Sequence, residues 1–489
     1  MLTGFKSLVR KATSLFASPQ EQSYPIIIPR SEHSLSRQDL SPNAVKVLYR
    51  LNKAGYEAHL VGGCVRDHLI GMKPKDFDVV TNATPEEVHA TFSNSRLIGR
   101  RFRLVHVTFG REIIEVSTFR ANSAQEENDD SSQEKTSLKG KDSARSTHGM
   151  LLRDNVYGDI EDDAERRDFT FNALYYNVKD FSIHDYCGGL KDIEDKKIRI
   201  IGDPRKRYAE DPVRMLRAIR FAGKLGFEMD AETAAPIKEM AHLLDHIPPA
   251  RLFEEVLKLL GSGNGIATLA LLRQYGLFRY LFPDTDALLQ SGWKRDDIDP
   301  EAFILQGLSN TDNRIQSDKT TAPYFLYAIL LWPSVALRHE EFQAQGMPAT
   351  PALHQAANMV LDNQVAATAI PRRFSTPMRE IWDMQYRLPK RYGKRAFLLL
   401  EHPRFRAGFD FLLIRELSGT QLDGLGDWWE AFQHGTEAQQ RDLIKSIDAR
   451  SNDKDGPKKR RPRRRRKSNG ANTSSEAQDN TAQSDKSNE

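Results

Sequence analysis

The sequence predicts an α+β protein: a small mixed β-sheet head followed by an all-helical neck and body, with a disordered basic tail at the C-terminus. Three observations carry this reading. Short apolar runs bounded by glycine alternate with helix signals over residues 41–185. Apolar residues recur three and four places apart from about Tyr208 onward. After Arg450 the chain turns polar, then basic, then rich in Ser, Asn and Gln.

The elements follow in order. Residues 1–40 read as a leader, with Pro19, Pro25 and Pro29 set among Ser and Gln. Within it, Met1 to Ser18 interleaves Lys6, Arg10 and Lys11 with apolar residues, which suits a short amphipathic helix that packs on the body or touches a membrane surface. It lacks the continuous apolar core of a secretory signal, and no run in the chain reaches the roughly 18 apolar residues of a membrane span. The head is expected over 41–185. Ser41 caps a helix with Pro42 at its first position, and Gly55 closes it. A strand over Glu57 to Val61 enters Gly62-Gly63, a helix runs from Val65 to Ile70, and a strand follows from Phe77 to Val80. Thr84, Pro85 and Glu87 form a capping box, and strands fit Leu104 to Phe109 and Ile113 to Thr118. Residues 121–149 hold almost no apolar side chain and read as a mobile surface loop. A helical neck is expected over 186–285, a helical body over 286–450 and the tail over 451–489.

Charge is unevenly spread. Lys458 to Lys467 holds nine Lys or Arg and no acid; without those nine, the net charge of +4 becomes −5. Such a block cannot fold on itself, but it can neutralise phosphates and release their counterions. A nuclear-localisation-like signal is the other reading of the block. The two cysteines, Cys64 and Cys187, exclude a disulfide framework and a cysteine-rich zinc site, and they suit a reducing cytosol.

The chemistry concentrates between Leu60 and Val88. Gly62 and Gly63 let backbone approach a triphosphate, and the N–H groups of the following helix face an anion. Arg66 can contact a phosphate, with Asp67 bracing it. Asp76 and Asp78 are two places apart, so on a strand they project from one face, about 7 Å apart, and can bridge two Mg²⁺ ions. Alone, such a pair is more often a solvated strand end; so soon after the Gly62-Gly63 turn, the metal-bridging reading wins. Glu115, on a neighbouring strand between Ile114 and Val116, is the third carboxylate, or else an outward-facing residue of an amphipathic strand.

Gly-Gly-Cys-Val-Arg-Asp from Gly62, followed by Asp76-Phe77-Asp78, resembles the class II nucleotidyltransferase family, which contains bacterial poly(A) polymerases and CCA-adding enzymes. Arg166 to Thr170 with Asn172 to Leu174 resembles the family motif that links head and neck and helps bind nucleotide. Glu210 to Arg214 with Arg217, Arg220 and Phe221 resembles the helix whose Asp and Arg face the incoming base. The resemblance implies template-independent transfer of AMP from ATP to RNA 3′ ends with release of pyrophosphate. It implies two Mg²⁺ ions (or Mn²⁺) on Asp76, Asp78 and Glu115, catalysis by Asp76, Asp78 and Asp168, and nucleotide contacts from Gly62, Gly63, Arg66, Asp67, Arg167, Asp168, Asp211, Arg214 and Arg217. By residue chemistry, Arg167 with Asp168 can orient ribose or phosphate, and Asp211 with Arg214 can read a base edge. A structural salt bridge is the alternative for each pair, and an N-cap for Asp211.

Within that family the segment from Leu97 to Val107, with Arg100 and Arg101, resembles the bacterial poly(A) polymerase signature, as does the arginine-rich tail. Arg372, Arg373 and Phe374, then Lys390 to Arg395, put basic and aromatic residues together in the body, where bases can stack while Lys394 and Arg395 follow the backbone. Lys458, Lys459, Arg460, Arg461, Arg463, Arg464, Arg465 and Arg466 complete the expected RNA contacts. A role in RNA decay, decay or chaperone proteins as partners, and a cytoplasmic location follow from the resemblance. A CCA-adding enzyme is the alternative within the family. A catalytically inert RNA-binding adaptor is the alternative outside it, which three carboxylates that repel RNA disfavour.

Overall fold

A computed structural model describes residues 24–99, 103–121, 143–145, 151–154, 156–295 and 298–454. Its head rests on one eight-stranded sheet in the order β1-β10-β9-β2-β3-β6-β5-β4. The strands are β1 (Ile26–Ile28), β2 (Ala58–Val61), β3 (Asp78–Thr81), β4 (Ser95–Ile98), β5 (Leu104–Phe109), β6 (Glu112–Thr118), β9 (Leu174–Asn177) and β10 (Ile183–Asp185). A separate hairpin pairs β7 (Ser143–Arg145) with β8 (Leu151–Asp154).

Every neighbouring pair in the large sheet is antiparallel except β3 and β6, which run parallel. A parallel pair needs a crossover, and here the helix Pro85–Thr91 with β4 and β5 supplies it. That helix starts as its sequence predicts, with the Thr84 and Glu87 side chains each accepting from the other's backbone N–H. The helix Pro42–Lys53 is capped by Ser41 and lays Ala44, Val47, Leu48 and Leu51 on one face of the sheet, against Leu60, Val79, Val105, Val107, Ile114 and Val116. On the opposite face Val61, Val80, Phe119 and Tyr175 join Ile160 and Ala164 in a smaller core.

Several expectations need correction. Residues 24–40 are not a loose leader: β1 extends the sheet edge beside β10, and Leu35 and Leu40 are buried. Three isoleucines in a row satisfy an edge strand, which the surrounding prolines masked in the sequence. Within the expected loop at 121–149, Ser143–Arg145 is a strand; most of that segment lies outside the described residues, as do residues 1–23. The neck is not wholly helical, because Lys197–Ile198 and Glu228–Met229 form a short parallel ladder.

The helices that follow share their interior. One apolar core runs from Phe169 and Leu216 through Leu260 and Trp332 to Ile381 and Phe411, so packing crosses the expected neck–body boundary at 285. Its centre is the helix Pro323–Ala344, buried on all sides from Leu326 to Val335. A second core around Leu388, Phe405, Trp429 and Phe432 closes the C-terminal end. No helix among the described residues is long and apolar enough to cross a membrane.

Candidate active site

β2 ends at Val61, and Gly62 turns the chain with φ +76° and ψ −131°, a conformation closed to residues with a Cβ. The helix Gly63–Leu69 begins two residues earlier than its sequence suggests, and no side chain caps it. A Cβ on Gly62 would point toward Arg167 Nη1 at 3.6 Å, so the turn and the later arginine are neighbours.

Arg66 lies beside the turn, its Nη2 3.5 Å from where a Cβ on Gly63 would sit. It is 4% exposed, donates through Nε to Asp67 at 2.8 Å and through Nη1 to Asn172 at 2.6 Å, and lies over the Phe221 ring at 4.8 Å. Asp67 also takes Lys224 at 3.2 Å. The geometry therefore gives Arg66 a bracing role between the head and the helix Val213–Leu225 while its guanidinium stays next to the glycine turn.

Asp76 precedes β3 by two residues and Asp78 is its first residue, so the two carboxylates are not on a regular strand together. Register compensates. Asp78 pairs directly with Glu115 across the parallel β3–β6 ladder, so both side chains leave the same face of the sheet. All three carboxylates are exposed. The Asp78 carboxyl is nevertheless pushed up to about 6 by the protein packed around its base and then by Glu115 and Asp76, against the pull of Arg167. Behind it, burial first and Asp78 second push the Cys64 thiol up to about 12, so Cys64 is an inert, buried spacer.

Mutual repulsion among three carboxylates is what a divalent cation would relieve, and an all-oxygen donor set suits Mg²⁺ or Mn²⁺. Among the described residues, no three such groups stand close enough as they are to hold an ion. Glu115 Oε1 lies 3.2 Å from His106 Nε2 on β5.

The next motif is arranged differently from its spacing. Arg167 and Asp168 do not pair with each other. Arg167 donates to Asp163 at 3.0 Å and to the Tyr175 hydroxyl at 3.0 Å. Asp168 accepts from Arg217 Nε at 2.6 Å, from the Asn172 amide at 2.9 Å and from the Phe169 N–H at 2.9 Å. Burial pushes the Asp168 carboxyl upward, but Arg217, Asn172 and Phe169 outweigh it and hold it well below the usual carboxylate range. Asp168 thus links the head to the helix Val213–Leu225.

Asp211 and Arg214 likewise have separate partners. Asp211 takes Arg251 at 2.7 Å, and its other oxygen accepts the Val213 N–H at 3.3 Å. Arg214 donates to Glu210 at 3.0 Å and to the Arg207 carbonyl at 2.8 Å. Sequence reasoning missed Asp163, Tyr175, Lys224 and Arg251, and placed Asn172 in its motif without giving it a partner. Asp163 was legible, since it precedes Arg167 by four places in a helix capped by Asp159. Arg251, forty residues from its partner, was not.

Of the expected RNA contacts, Arg372 and Arg373 open the helix Arg372–Arg387. Phe374 is not a free stacking surface, because it packs on Phe253 with ring centroids 5.6 Å apart. Tyr392 is more open: it is 46% exposed in the turn before the helix Arg395–Leu400, although Arg395 covers one face of its ring at 4.5 Å. Lys394 is exposed beside it. Arg100, Arg101 and Lys458 to Arg466 lie outside the described residues.

Among solved structures, the Thermotoga maritima CCA-adding enzyme complexed with tRNA matches with a TM-score of 0.54 at 18% identity, covering 89% of this chain and 97% of that one. The likeness is one of fold: a mixed-sheet head on a mostly helical neck and body. Family models match as the poly A polymerase head domain over residues 58–199, the probable RNA and SrmB-binding site of polymerase A over 226–289, and the polymerase A arginine-rich C-terminus over 345–467. Poly(A) polymerase I of Salmonella typhi is 49% identical over 475 residues, 96% of this chain and 98% of that protein. A CCA-adding enzyme of Geobacillus sp. is 37% identical over 238 residues, 49% of this chain and 54% of that protein. The chain belongs to the poly(A) polymerase I family, and with it to the polynucleotide adenylyltransferases.

Proposed function

We propose that the chain adds AMP from ATP to RNA 3′ ends without a template, the 3′-oxygen bonding to the α-phosphorus as pyrophosphate leaves. The observation that carries this is the register of β3 and β6, which sets Asp78 against Glu115 with Asp76 beside them, next to the Gly62 turn. Two Mg²⁺ ions (or Mn²⁺) held by Asp76, Asp78 and Glu115 would supply positive charge to the 3′-oxygen and to the triphosphate. The Gly62–Gly63 backbone gives the triphosphate room. Arg167, fixed by Asp163 and Tyr175, lies beside the turn and lowers the cost of negative charge there. Asp168 acts through position, holding Arg217 and Asn172 at the head–neck junction. In a cytoplasmic setting such tails would mark RNA for decay, with decay or chaperone proteins as partners.

ATP is expected to be selected over CTP and added without a fixed stop. Asp211 and Arg214 are each held in place by a separate partner, so a base that leaves their remaining valences unmet costs about 1–3 kcal/mol per group. The check is an oligoadenylate-ended RNA with Mg²⁺ and each nucleotide supplied separately. Long ladders with ATP alone support the proposal, while efficient CTP use on truncated tRNA and a halt after CCA would establish the CCA-adding reading instead.

The basic tail is proposed as an RNA tether. Nine cations neutralising phosphates give a log–log salt slope on the order of −6 on single strands. Deleting residues after Ser451 should weaken RNA binding and flatten that slope while turnover at saturating RNA survives. An unchanged affinity and slope would assign the tail to another partner.

A further inference from the structure

In the body, the helices Pro300–Gln316, Pro323–Ala344 and Phe405–Leu417 border a solvent-open cavity of about 600 Å³. Sites that hold a small organic ligand span roughly 300–1,000 Å³. None of its lining residues belongs to the carboxylate site or to the expected RNA contacts.

Its walls combine two chemistries. Tyr324 and Phe325 line it and are half-buried; Phe325 is fixed edge-on against the buried Phe411 at 6.1 Å, and Arg404 lies over the Tyr324 ring at 5.2 Å. Exposed Arg314 and Arg406 also line it. Arg314 donates to the Thr320 carbonyl at 3.2 Å, and Arg406 pairs with Asp410, the one acidic lining residue, at 2.8 Å. The 22-residue helix Pro323–Ala344 starts at the same cavity with no side-chain cap, adding the positive end of its dipole. An apolar ligand would need no cations, and a bare anion would need no aromatic walls.

We propose that this cavity is a second nucleotide site: it holds one nucleoside monophosphate unit, the base against Tyr324 and Phe325 and the phosphate at Arg314 and Arg406. The unit is a residue of an RNA strand or a free nucleotide, which share this chemistry. The inference rests on the proposed function only in taking RNA and ATP as the nucleotides the protein meets.

The test is equilibrium binding by the full chain in EDTA, where transfer does not run. One arm follows a fluorescein-labelled oligoadenylate by anisotropy and the other follows AMP by calorimetry. Tyr324→Ala and Arg314→Ala should each weaken binding on the order of tenfold. Loss confined to the oligoadenylate identifies an RNA residue, and in that arm Arg314→Ala should reduce the salt slope by about 0.7. Loss of AMP binding as well identifies a free nucleotide. Asn313→Glu, at an exposed lining position, keeps the test decisive if Tyr324→Ala does not fold. Folded variants that bind both probes with wild-type affinity overturn the site. Because no turnover is read, that failure is distinct from failure of the transfer proposal, which is judged by ATP-dependent extension of RNA.

Discussion

Asp78→Asn is expected to abolish AMP transfer and leave the protein at least as stable as its parent. The carboxyl is pushed up to about 6 by the protein packed around its base and by Glu115 and Asp76, all of which disfavour its charge. Replacing it with an amide removes that repulsion, so the fold gains rather than loses. Function moves the other way. An amide brings no negative charge to a divalent ion, and several kcal/mol of transition-state stabilisation should go with it, on the order of 10³-fold or more in rate. Asp76→Asn and Glu115→Gln should follow in the same direction. The measurement is single-turnover extension of an RNA primer with Mg²⁺, set beside a thermal melt. A folded Asp78→Asn protein that extends RNA at the parent rate would remove the carboxylates from the mechanism.

Arg217→Ala is expected to be among the most destabilising changes at the head–neck junction. It leaves Asp168, whose side chain is 12% exposed, with Asn172 and one backbone N–H but no directly bonded cation, only the more distant charges of Arg207 and Arg220. Breaking a buried pair in this way costs about 3–5 kcal/mol. The Arg217 side chain is 32% exposed, so the lower end applies. Arg217→Lys keeps the charge but not the two-pronged contact to Asp168 Oδ2, and should fall between. The pH dependence has a definite sign. The folded Asp168 carboxyl is held below its unfolded value of about 3.9. Its stabilisation is therefore complete above that pH and is lost as pH falls through the folded value. Melting temperatures of parent and variant should differ fully at neutral pH and converge in acid. A constant gap down to the acid limit would mean that Arg217 acts by packing alone.

Much of the candidate site is legible in the sequence. The Gly62 turn announces itself because a backbone with positive φ and a close approach admits glycine almost alone. The capping box at Thr84 and the helix that Ser41 opens are local hydrogen-bond chemistry, settled within four residues. Apolar periodicity placed the helices of the neck. What failed were arguments that carried local spacing into pairing. Arg167 and Asp168 are adjacent, yet a strand-like backbone at that point sends their side chains apart, one toward Asp163 and one toward Arg217. Asp211 and Arg214 are a helical turn apart, but Asp211 precedes the helix and turns toward Arg251.

The sequence by itself determined which chemical groups this protein has and in what order: a glycine turn, three carboxylates, arginines along one helix and a basic tail. It also determined the elements that carry them, because caps, turns and apolar periods act over a few residues. Only the tertiary structure decided which of those groups meet. The parallel register of β3 and β6 sets Asp78 opposite Glu115 across thirty-seven positions of chain, and one shared core joins Phe169 to Ile414. The physical reason is range. Hydrogen-bonded caps are satisfied locally, whereas strand register and ion-pair choice minimise buried charge and exposed apolar surface over the whole chain at once.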